Sequence, residues 1–222
     1  MTAYIEVALS WLFKNQKGRD AKSFYTYPAF DSHKDQTIEI NSPELGSSPA
    51  ALSVEHTHDG VGKIPSLEWK APTEMAGEVK EWLLVCEDPD APLPTPIAHG
   101  IYMGIPLDKT SVENADFEVE DASQCLVKGG FHYQPRRGQV YIPPRPLMNH
   151  GPHRCKKRER HPVRGEWLTS AHTDFWQIVA LSEPLDRELI KSKPTKEQVA
   201  EAIHGKVLGW GLWIGACERK WS

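Results

Sequence analysis

The sequence has no apolar run long enough to cross a bilayer. The longest apolar stretch near the N-terminus, Val7–Phe13, is much shorter than the roughly 20 residues that a membrane-spanning helix needs. Glu6 precedes this stretch and no basic residue does, so it is also a poor secretory signal. We therefore expect no transmembrane segment and a cytoplasmic protein.

The sequence also has no closely spaced cysteine pair and only a small net charge. The four cysteines lie far apart and form no C-x-x-C pair, which argues against a disulfide framework or a zinc ribbon. His56 and His58 have a metal-like spacing but no third ligand, so a solvated loop is the better interpretation. We expect free thiols, no metal and no cofactor. The net charge of −4 gives no basic field that would recruit nucleic acid.

Short apolar runs separated by turn residues indicate a mainly β protein. The chain of 222 residues has 18 Pro and 16 Gly, which bound each run. Many short strands of this kind favour a sandwich or a barrel. The predicted strands are Thr37–Ile40, Leu52–Glu55, Trp82–Cys86, Ile101–Ile105, Gln139–Ile142, Phe175–Leu181 and Leu208–Ile214.

Two segments have helical patterns. Tyr4–Lys14 is amphipathic, and Thr195–His204 has Thr195 as a cap and ends at Gly205. The sequence has no repeat and no linker. We therefore expect one domain over residues 1–222, with an N-terminal helix and extension over residues 1–30.

Several polar side chains that can bind an anion lie beside proline and glycine. Pro89 and Pro92 cannot continue a strand, so the preceding strand ends here. The carboxylates of Asp88 and Asp90 therefore lie at its end. Rigid loops with His, Asp and Arg suit a phosphate or a carboxylate. Two plainer interpretations stay open. Asp88 and Asp90 could form only a local Asx turn, and His153 and Arg154 could be only a surface pair. The candidates are Asp88, Asp90, His99, His153 and Arg154.

Taken together, these segments resemble the phosphatidylethanolamine-binding protein (PEBP) family, which includes the Raf kinase inhibitor proteins. The resemblance covers nearly the whole chain, and two signatures in the right order, D-P-D-A-P and G-x-H-R, make it specific. Its main segments are Ile64–Trp69, Leu84–Pro92, His99 with Ile105-Pro106, Gly151–Arg154 and Gly205–Arg219. The segments similar to the fungal branch are Leu9–Leu12, Pro144–Leu147 and Gly209–Gly211.

The resemblance implies a Greek-key β-sandwich of antiparallel sheets with a few peripheral helices. It also implies a pocket at one end that takes a phosphate, an acetate or a phosphorylethanolamine group. The ligand-binding residues implied are Asp88, Asp90, His99, Tyr141, Pro144, Arg145, Pro146, His153 and Arg154. If the protein is an enzyme, the candidates for catalysis are Asp88, His99 and His153.

Three functions are compatible with such a pocket. The first is binding of a small anionic ligand or a phospholipid headgroup, with regulation of a kinase or protease partner. The second is an enzyme or accessory protein of fungal secondary metabolism, because proteins resembling this family occur in maleidride pathways and are linked there to anhydride coupling. The third is a scaffold with a vestigial pocket. Fold alone does not choose among them.

One segment departs from the family pattern. The family has a tyrosine after H-R, whereas this chain has Cys155 there and then a basic stretch without strand or helix period. The family also tends to have an aromatic residue near the end of its last strand, where this chain has Cys217.

We interpret the insertion, residues 155–173, as a translated intron, with a genuine basic surface insertion as the alternative. Codons allowed for Cys-Lys-Lys contain the splice donor GTAAG. Removal of 57 nucleotides restores His-Arg-Tyr before Phe175.

Overall fold

A computed structural model describes residues 20–75, 77–91, 95–144 and 172–217. The described part is mainly β-structure, as the sequence predicts. Its strands are β1 (Glu39–Ser42), β2 (Gly46–Ser47), β3 (Ala50–Ala51), β4 (Leu67–Lys70), β5 (Glu81–Asp88), β6 (Ile97–Pro106), β7 (Ser111–Val112), β8 (Val119–Asp121), β9 (Leu126–Val127), β10 (His132–Tyr133), β11 (His172–Leu181) and β12 (Val207–Cys217). Its α-helices are α1 (Arg187–Lys191) and α2 (Lys196–Ala202).

Short 3-10 helical turns join these elements. They span Asp20–Lys22, Phe24–Thr26, Pro28–Phe30, Val54–His56 and Asn114–Phe117. No helix in the described ranges is both long enough and apolar enough to span a membrane.

The strands form two sheets. The smaller sheet has the order β2-β1-β4-β7, and the larger has the order β3-β12-β11-β5-β6-β10-β9-β8. Among the described strands, neighbouring strands pair antiparallel, except that β3 pairs parallel with β12. The long strands β12, β11, β5 and β6 are neighbours at the centre of the larger sheet. The ends of these four strands therefore lie side by side along two opposite margins of the sheet, which we call its edges. Each edge gathers residues that are distant in sequence.

The larger sheet buries both of its faces. One face packs against the smaller sheet through side chains such as Trp69, Leu84 and Trp213. The other face is covered by the turns around Phe24 and by α2, which contributes Val199. All eight residues of β5 are buried. This double burial explains why Trp82–Cys86 is an uninterrupted apolar run between the acidic residues at the two ends of the strand.

The closing strand β12 needs glycine where other backbone lies close to it. A Cβ at Gly211 would lie 2.1 Å from the carbonyl oxygen of Ile38. Nearby, the Ile38 N–H donates to the carbonyl of Trp210 at 3.1 Å. Trp210 and Trp213, on either side of this glycine in the same strand, are buried core residues.

Four predicted strands are confirmed with longer bounds, as β5, β6, β11 and β12. Thr37–Ile40 overlaps β1, which begins two residues later. The prediction for Leu52–Glu55 is wrong, because this segment enters the turn Val54–His56. The prediction for Gln139–Ile142 is also wrong, since the residues that follow are two prolines, which cannot donate to a ladder.

The helix predicted from Thr195 is confirmed as α2. The Thr195 side chain accepts from the Gln198 N–H, and the Gln198 side chain accepts from the Thr195 N–H, which forms a capping box. Gly205, with φ of +76°, follows the helix. The predicted helix Tyr4–Lys14 lies outside the described residues. So does the insertion up to residue 171, whereas Thr173 belongs to β11.

Candidate functional site

One edge of the larger sheet collects most of the predicted site residues that the structure describes. Strand β5 ends at Asp88 where β6 begins, with Asp88 paired to Ile97. On the other side, β11 begins where β12 ends, with His172 paired to Cys217. The order of these strands in the sheet, β12-β11-β5-β6, explains how residues far apart in sequence become neighbours.

Asp88 combines a turn with a contact to histidine. Its Oδ1 accepts hydrogen bonds from the backbone N–H groups of Asp90 at 2.7 Å and Ala91 at 2.9 Å. Its Oδ2 lies 3.8 Å from Nε2 of His99, and both side chains are buried. The Asx turn left open by the sequence therefore exists. It fixes the carboxylate in the position from which it faces His99.

Asp90 binds the start of β11. Its Oδ2 accepts from the backbone N–H of Thr173 at 3.0 Å and from the Thr173 hydroxyl at 2.7 Å. Both residues are buried. Hydrogen bonds to a buried charge are among the stronger ones in proteins, so this pair holds β11 against the loop after β5.

Tyr141 provides an aromatic wall of the site. Its ring centroid lies 6.3 Å from that of His99 and 5.5 Å from that of Trp176. Burial, and then the charge of Asp174, raise the pKa of Tyr141 well above its usual value. Its hydroxyl therefore stays protonated and can donate a hydrogen bond.

The sequence interpretation missed Asp174 as a site residue. Asp174 is 1% exposed and lies in β11 two residues before Trp176, which pairs with Cys86. Continuing this register places Asp174 across from Asp88. Burial raises the pKa of Cys86, and the charges of Asp174, Glu87 and Asp88 raise it further. No sequence signal distinguishes this aspartate from an ordinary strand boundary.

Cys217 closes the same edge. It is a buried free thiol, and burial followed by the charges of Asp174 and Asp88 raises its pKa strongly. A thiol in this environment is protonated and is a poor nucleophile. Cys217 therefore contributes shape, and it lies at this edge as the residue that departs from the family pattern.

Pro144 is buried, and its carbonyl accepts a hydrogen bond from the His58 N–H at 2.9 Å. The remaining predicted residues, Arg145, Pro146, His153 and Arg154, lie outside the described residues. The structure thus brings together Asp88, Asp90, His99 and Tyr141.

The histidine pair near residue 57 is only partly a solvated loop. His58 is exposed, but His56 is buried, with ring contacts to Ser53 at 2.8 Å and Glu44 at 3.3 Å. The correction follows from these two partners, which satisfy both ring nitrogens. Among the described residues, no three His, Cys, Asp or Glu side chains cluster so as to hold a metal ion.

A cavity of about 570 Å³ lies beside His99. Its wall includes Arg136 and Arg137 from the turn 136–139, in which Arg137 has φ of +49° and Gly138 has φ of +79°. The Arg136 Nε donates to the carbonyl of Ala98 at 3.0 Å, which orients the half-buried guanidinium. Burial lowers the pKa of Arg136 below its usual value, and the charge of Glu197 opposes this.

At the same edge, the other face of the larger sheet contains a buried ion pair. The Lys196 ammonium lies 2.7 Å from Oε2 of Glu87 and donates to the carbonyl of Pro96 at 3.2 Å. Oε1 of Glu87 accepts from the Phe24 N–H at 2.6 Å. Although Lys196 lines the cavity beside His99, its charge is therefore largely used within the protein.

The structure is a β-sandwich in which buried aspartates and a histidine lie at the ends of the central strands. The chain belongs to the phosphatidylethanolamine-binding protein family, whose sequence model matches residues 45–155. The match ends at Cys155, the residue at which the predicted insertion begins.

Two fungal relatives extend the similarity over nearly the whole chain. The chain is 40% identical over 221 residues to phomoidride biosynthesis cluster protein B of Fungal sp. (strain ATCC 74256), covering 98% of this chain and 96% of that protein. It is 39% identical over 223 residues to the protein of the same name from Talaromyces stipitatus, covering 98% of this chain and 82% of that protein.

Solved structures support the fold. E. coli YbcL, described as a new member of the mammalian PEBP family, has a TM-score of 0.56 at 17% identity and covers 83% of this chain and 99% of its own. A putative PEBP homologue of Chlamydia trachomatis has a TM-score of 0.52 at 17% identity, with the same coverage. At this identity the likeness concerns the fold alone.

Proposed function

We propose that the protein binds a small carboxylated intermediate of a fungal biosynthetic pathway at the edge defined by Asp88 and His99. The observation that carries the proposal is the buried Asp88–His99 contact, with Tyr141 beside it. The similarity to two proteins named for a phomoidride biosynthesis cluster supports the kind of pathway.

The chemistry of the site suits an anion. A histidine beside a carboxylate can carry a positive charge, and it then attracts a ligand carboxylate. Tyr141 can donate a hydrogen bond to the same group, since its hydroxyl stays protonated. An imidazole and a carboxylate in contact are also a suitable pair for general acid–base steps on a bound substrate. We expect the protein to act in the cytoplasm.

Asp174 opposes anion binding in the chain of 222 residues. It places a further buried carboxylate across from Asp88, and like charges at such close range disfavour an anionic ligand. In the chain without the intron, tyrosine replaces this aspartate. We therefore expect the shortened protein to bind a carboxylate more tightly than the full chain does.

The test is calorimetric titration of maleate into both forms of the protein. We expect saturable binding by the shortened form, with loss of about tenfold or more in affinity in His99→Ala, because a charged hydrogen bond is removed. His132→Ala, at the opposite edge, is the matched control and should bind as the parent does. Absence of binding by both folded forms would contradict the proposal.

A second candidate, recognition of a phospholipid headgroup with regulation of a protein partner, follows from family membership. Phosphorylethanolamine titrated under the same conditions separates the two. Tighter binding of phosphorylethanolamine than of maleate would favour the second candidate.

A further inference from the structure

A second cavity, of about 480 Å³, lies at the opposite end of β5. Glu81 begins this strand and Asp88 ends it, so the two carboxylates are separated by roughly 23 Å of extended chain. This volume is within the range of small-molecule sites. The lining residues that matter are Glu81, Gly104, His132, Leu185, Arg187 and Lys191.

Glu81 is the buried polar group of this cavity. It is 7% exposed, and its Oε1 accepts hydrogen bonds from the backbone N–H groups of Gly104 at 3.1 Å and Leu185 at 3.4 Å. Within the described part of the chain, Oε2 has no hydrogen-bond partner and no cation lies within 4 Å of the carboxylate. Oε1 therefore joins β6 to the segment before α1, and Oε2 remains to accept a hydrogen bond from a ligand.

The fold does not explain the charge at this position. A glutamine would offer the same carbonyl-type acceptor to both N–H groups without the cost of burying a charge. Burial raises the pKa of Glu81 to about 6, against the two backbone hydrogen bonds and the charge of Lys206. The side chain is thus mainly ionised at pH 7.5, and a carboxylate with a free oxygen favours a cationic donor.

His132 gives the cavity a second nitrogen-containing wall. Its Nδ1 lies 3.1 Å from the carbonyl of Gln124, which can only accept, so Nδ1 carries the proton and Nε2 is left to other partners. Gly104 has φ of +72°, and a Cβ there would lie 3.7 Å from the His132 ring. The bare backbone of Gly104 leaves room between Glu81 and His132.

The rim of the cavity is cationic. Arg187 has no carboxylate within 4 Å among the residues that the structure describes, whereas Lys191 pairs with Glu188 at 2.7 Å. A buried carboxylate below an unpaired guanidinium presents charges of opposite sign to one small molecule. Neither a simple anion nor a simple cation satisfies both groups.

From this arrangement we propose that the cavity at Glu81 binds a small zwitterion with a primary ammonium and a carboxylate. The ammonium donates to Oε2 of Glu81, and the carboxylate lies against the Arg187 guanidinium. This site is independent of the one at Asp88, and no residue is shared between them.

The experiment is calorimetric titration of the full chain at pH 7.5 with glycine, β-alanine and γ-aminobutyrate. Butylamine and butyrate, each with one of the two charges, are titrated beside them. We expect at least one amino acid to bind about tenfold or more tightly than either single-charge compound.

Variants then assign the contacts. Glu81→Gln keeps the acceptor for Gly104 and Leu185, so it stays folded by circular dichroism but loses affinity by about tenfold or more. Arg187→Gln weakens binding in the same direction. Glu201→Gln, a carboxylate-to-amide change at an exposed position of α2 that does not line the cavity, leaves affinity unchanged.

Three results would overturn the proposal. They are no binding of any amino acid to the folded chain, equal binding by the Glu81→Gln variant, and binding of butylamine as tight as that of the best amino acid. The last result would mean that the cavity recognises only the cation.

Discussion

The two ends of β5 bury a carboxylate by different means. At one end, Asp88 accepts two backbone hydrogen bonds and also faces His99, a group that can carry positive charge. At the other end, Glu81 accepts two backbone hydrogen bonds and has no cation within 4 Å among the described residues. The pKa of Glu81 is accordingly raised to about 6 by burial.

The comparison shows that hydrogen bonds alone do not offset the burial of a charge. Glu87, on the opposite face of the Asp88 end, has both a backbone donor and the Lys196 ammonium, yet burial still raises its pKa. The Asp88 end therefore concentrates carboxylates, of which Asp88, Asp90 and Glu87 each contact a partner from another element, whereas the Glu81 end leaves an acceptor for a ligand.

The largest expected change alters the Asp88 end and leaves the Glu81 end untouched. If residues 155–173 are encoded by an intron, splicing places His153, Arg154 and a new tyrosine at the register positions of His172, Thr173 and Asp174. We expect complementary DNA across this segment to lack 57 nucleotides, which the length of the insertion requires. Sequencing of the transcript between the codons for Arg154 and Phe175 measures this.

The control for this prediction is genomic DNA amplified with the same primers, which should retain the 57 nucleotides. A transcript that keeps them would show a genuine insertion. Asp174 would then be a permanent part of the site, and anion binding at the Asp88 end would have to overcome it.

The next largest effect compares a buried ion pair with an exposed one. Lys196→Met leaves Glu87 buried without its cation, so the free energy of unfolding at pH 7.5 should fall by about 3–5 kcal/mol. Lys191→Met breaks the exposed pair with Glu188 and should change it by less than about 0.5 kcal/mol. Urea denaturation of both variants measures the difference. Equal losses would show that the Glu87–Lys196 pair is not protected from solvent.

The sequence predicts the Asp88 end far better than the Glu81 end. Asp88 and Asp90 lie in a compact motif with Pro89, His99 lies beside Gly100, and the adjoining strands are long apolar runs. Glu81 has no such motif, because its partners are backbone N–H groups that leave no trace in the side-chain pattern. Its cavity also depends on β10, which has only two residues and is too short to show a periodicity.

A similar reason explains why Asp174 was missed. Its importance comes from the pairing of β11 with β5, a long-range register that a single sequence does not display. The capping box of α2 was predictable because all of its groups are within four residues of one another. The capping box was therefore predictable from the sequence, whereas the position of Asp174 across from β5 was not.

A smaller effect distinguishes the two ends by pH. The pKa of Glu81 is about 6 in the folded chain against 4.5 ordinarily, so the folded state holds this proton more tightly than the unfolded state does. Stability from this group is present below pH 4.5 and is lost as pH rises to about 6, by roughly 2 kcal/mol. Glu81→Gln removes this decline.

Urea denaturation of the parent and the variant between pH 4 and 8 should give curves that diverge by roughly this amount. The charged groups around Glu81, namely His132, Arg187, Lys191 and Lys206, are present in both proteins and cancel in the difference. Glu188→Gln is the matched control and should follow the parent. Parallel curves for Glu81→Gln would mean that Glu81 is solvated in the folded state.

The smallest effect concerns the turn beside His99. Arg137 has φ of +49°, which is unfavourable for a residue with a side chain, and glycine relieves this strain. After the larger entropy of glycine in the unfolded chain is subtracted, Arg137→Gly should raise stability by about 0.5–1 kcal/mol. Gly138→Ala, with φ of +79° and no steric neighbour within 4 Å, should instead lower it by about 1 kcal/mol.

The same variant tests whether the strain serves binding. Arg137 lines the cavity beside His99, so Arg137→Gly removes a positive charge from the Asp88 end while it stabilises the fold. We expect weaker maleate binding together with higher stability, because strained residues persist where function requires them. If maleate binding is unchanged, the cavity wall at Arg137 does not contact the ligand, and anion recognition at this end rests on His99 and Tyr141.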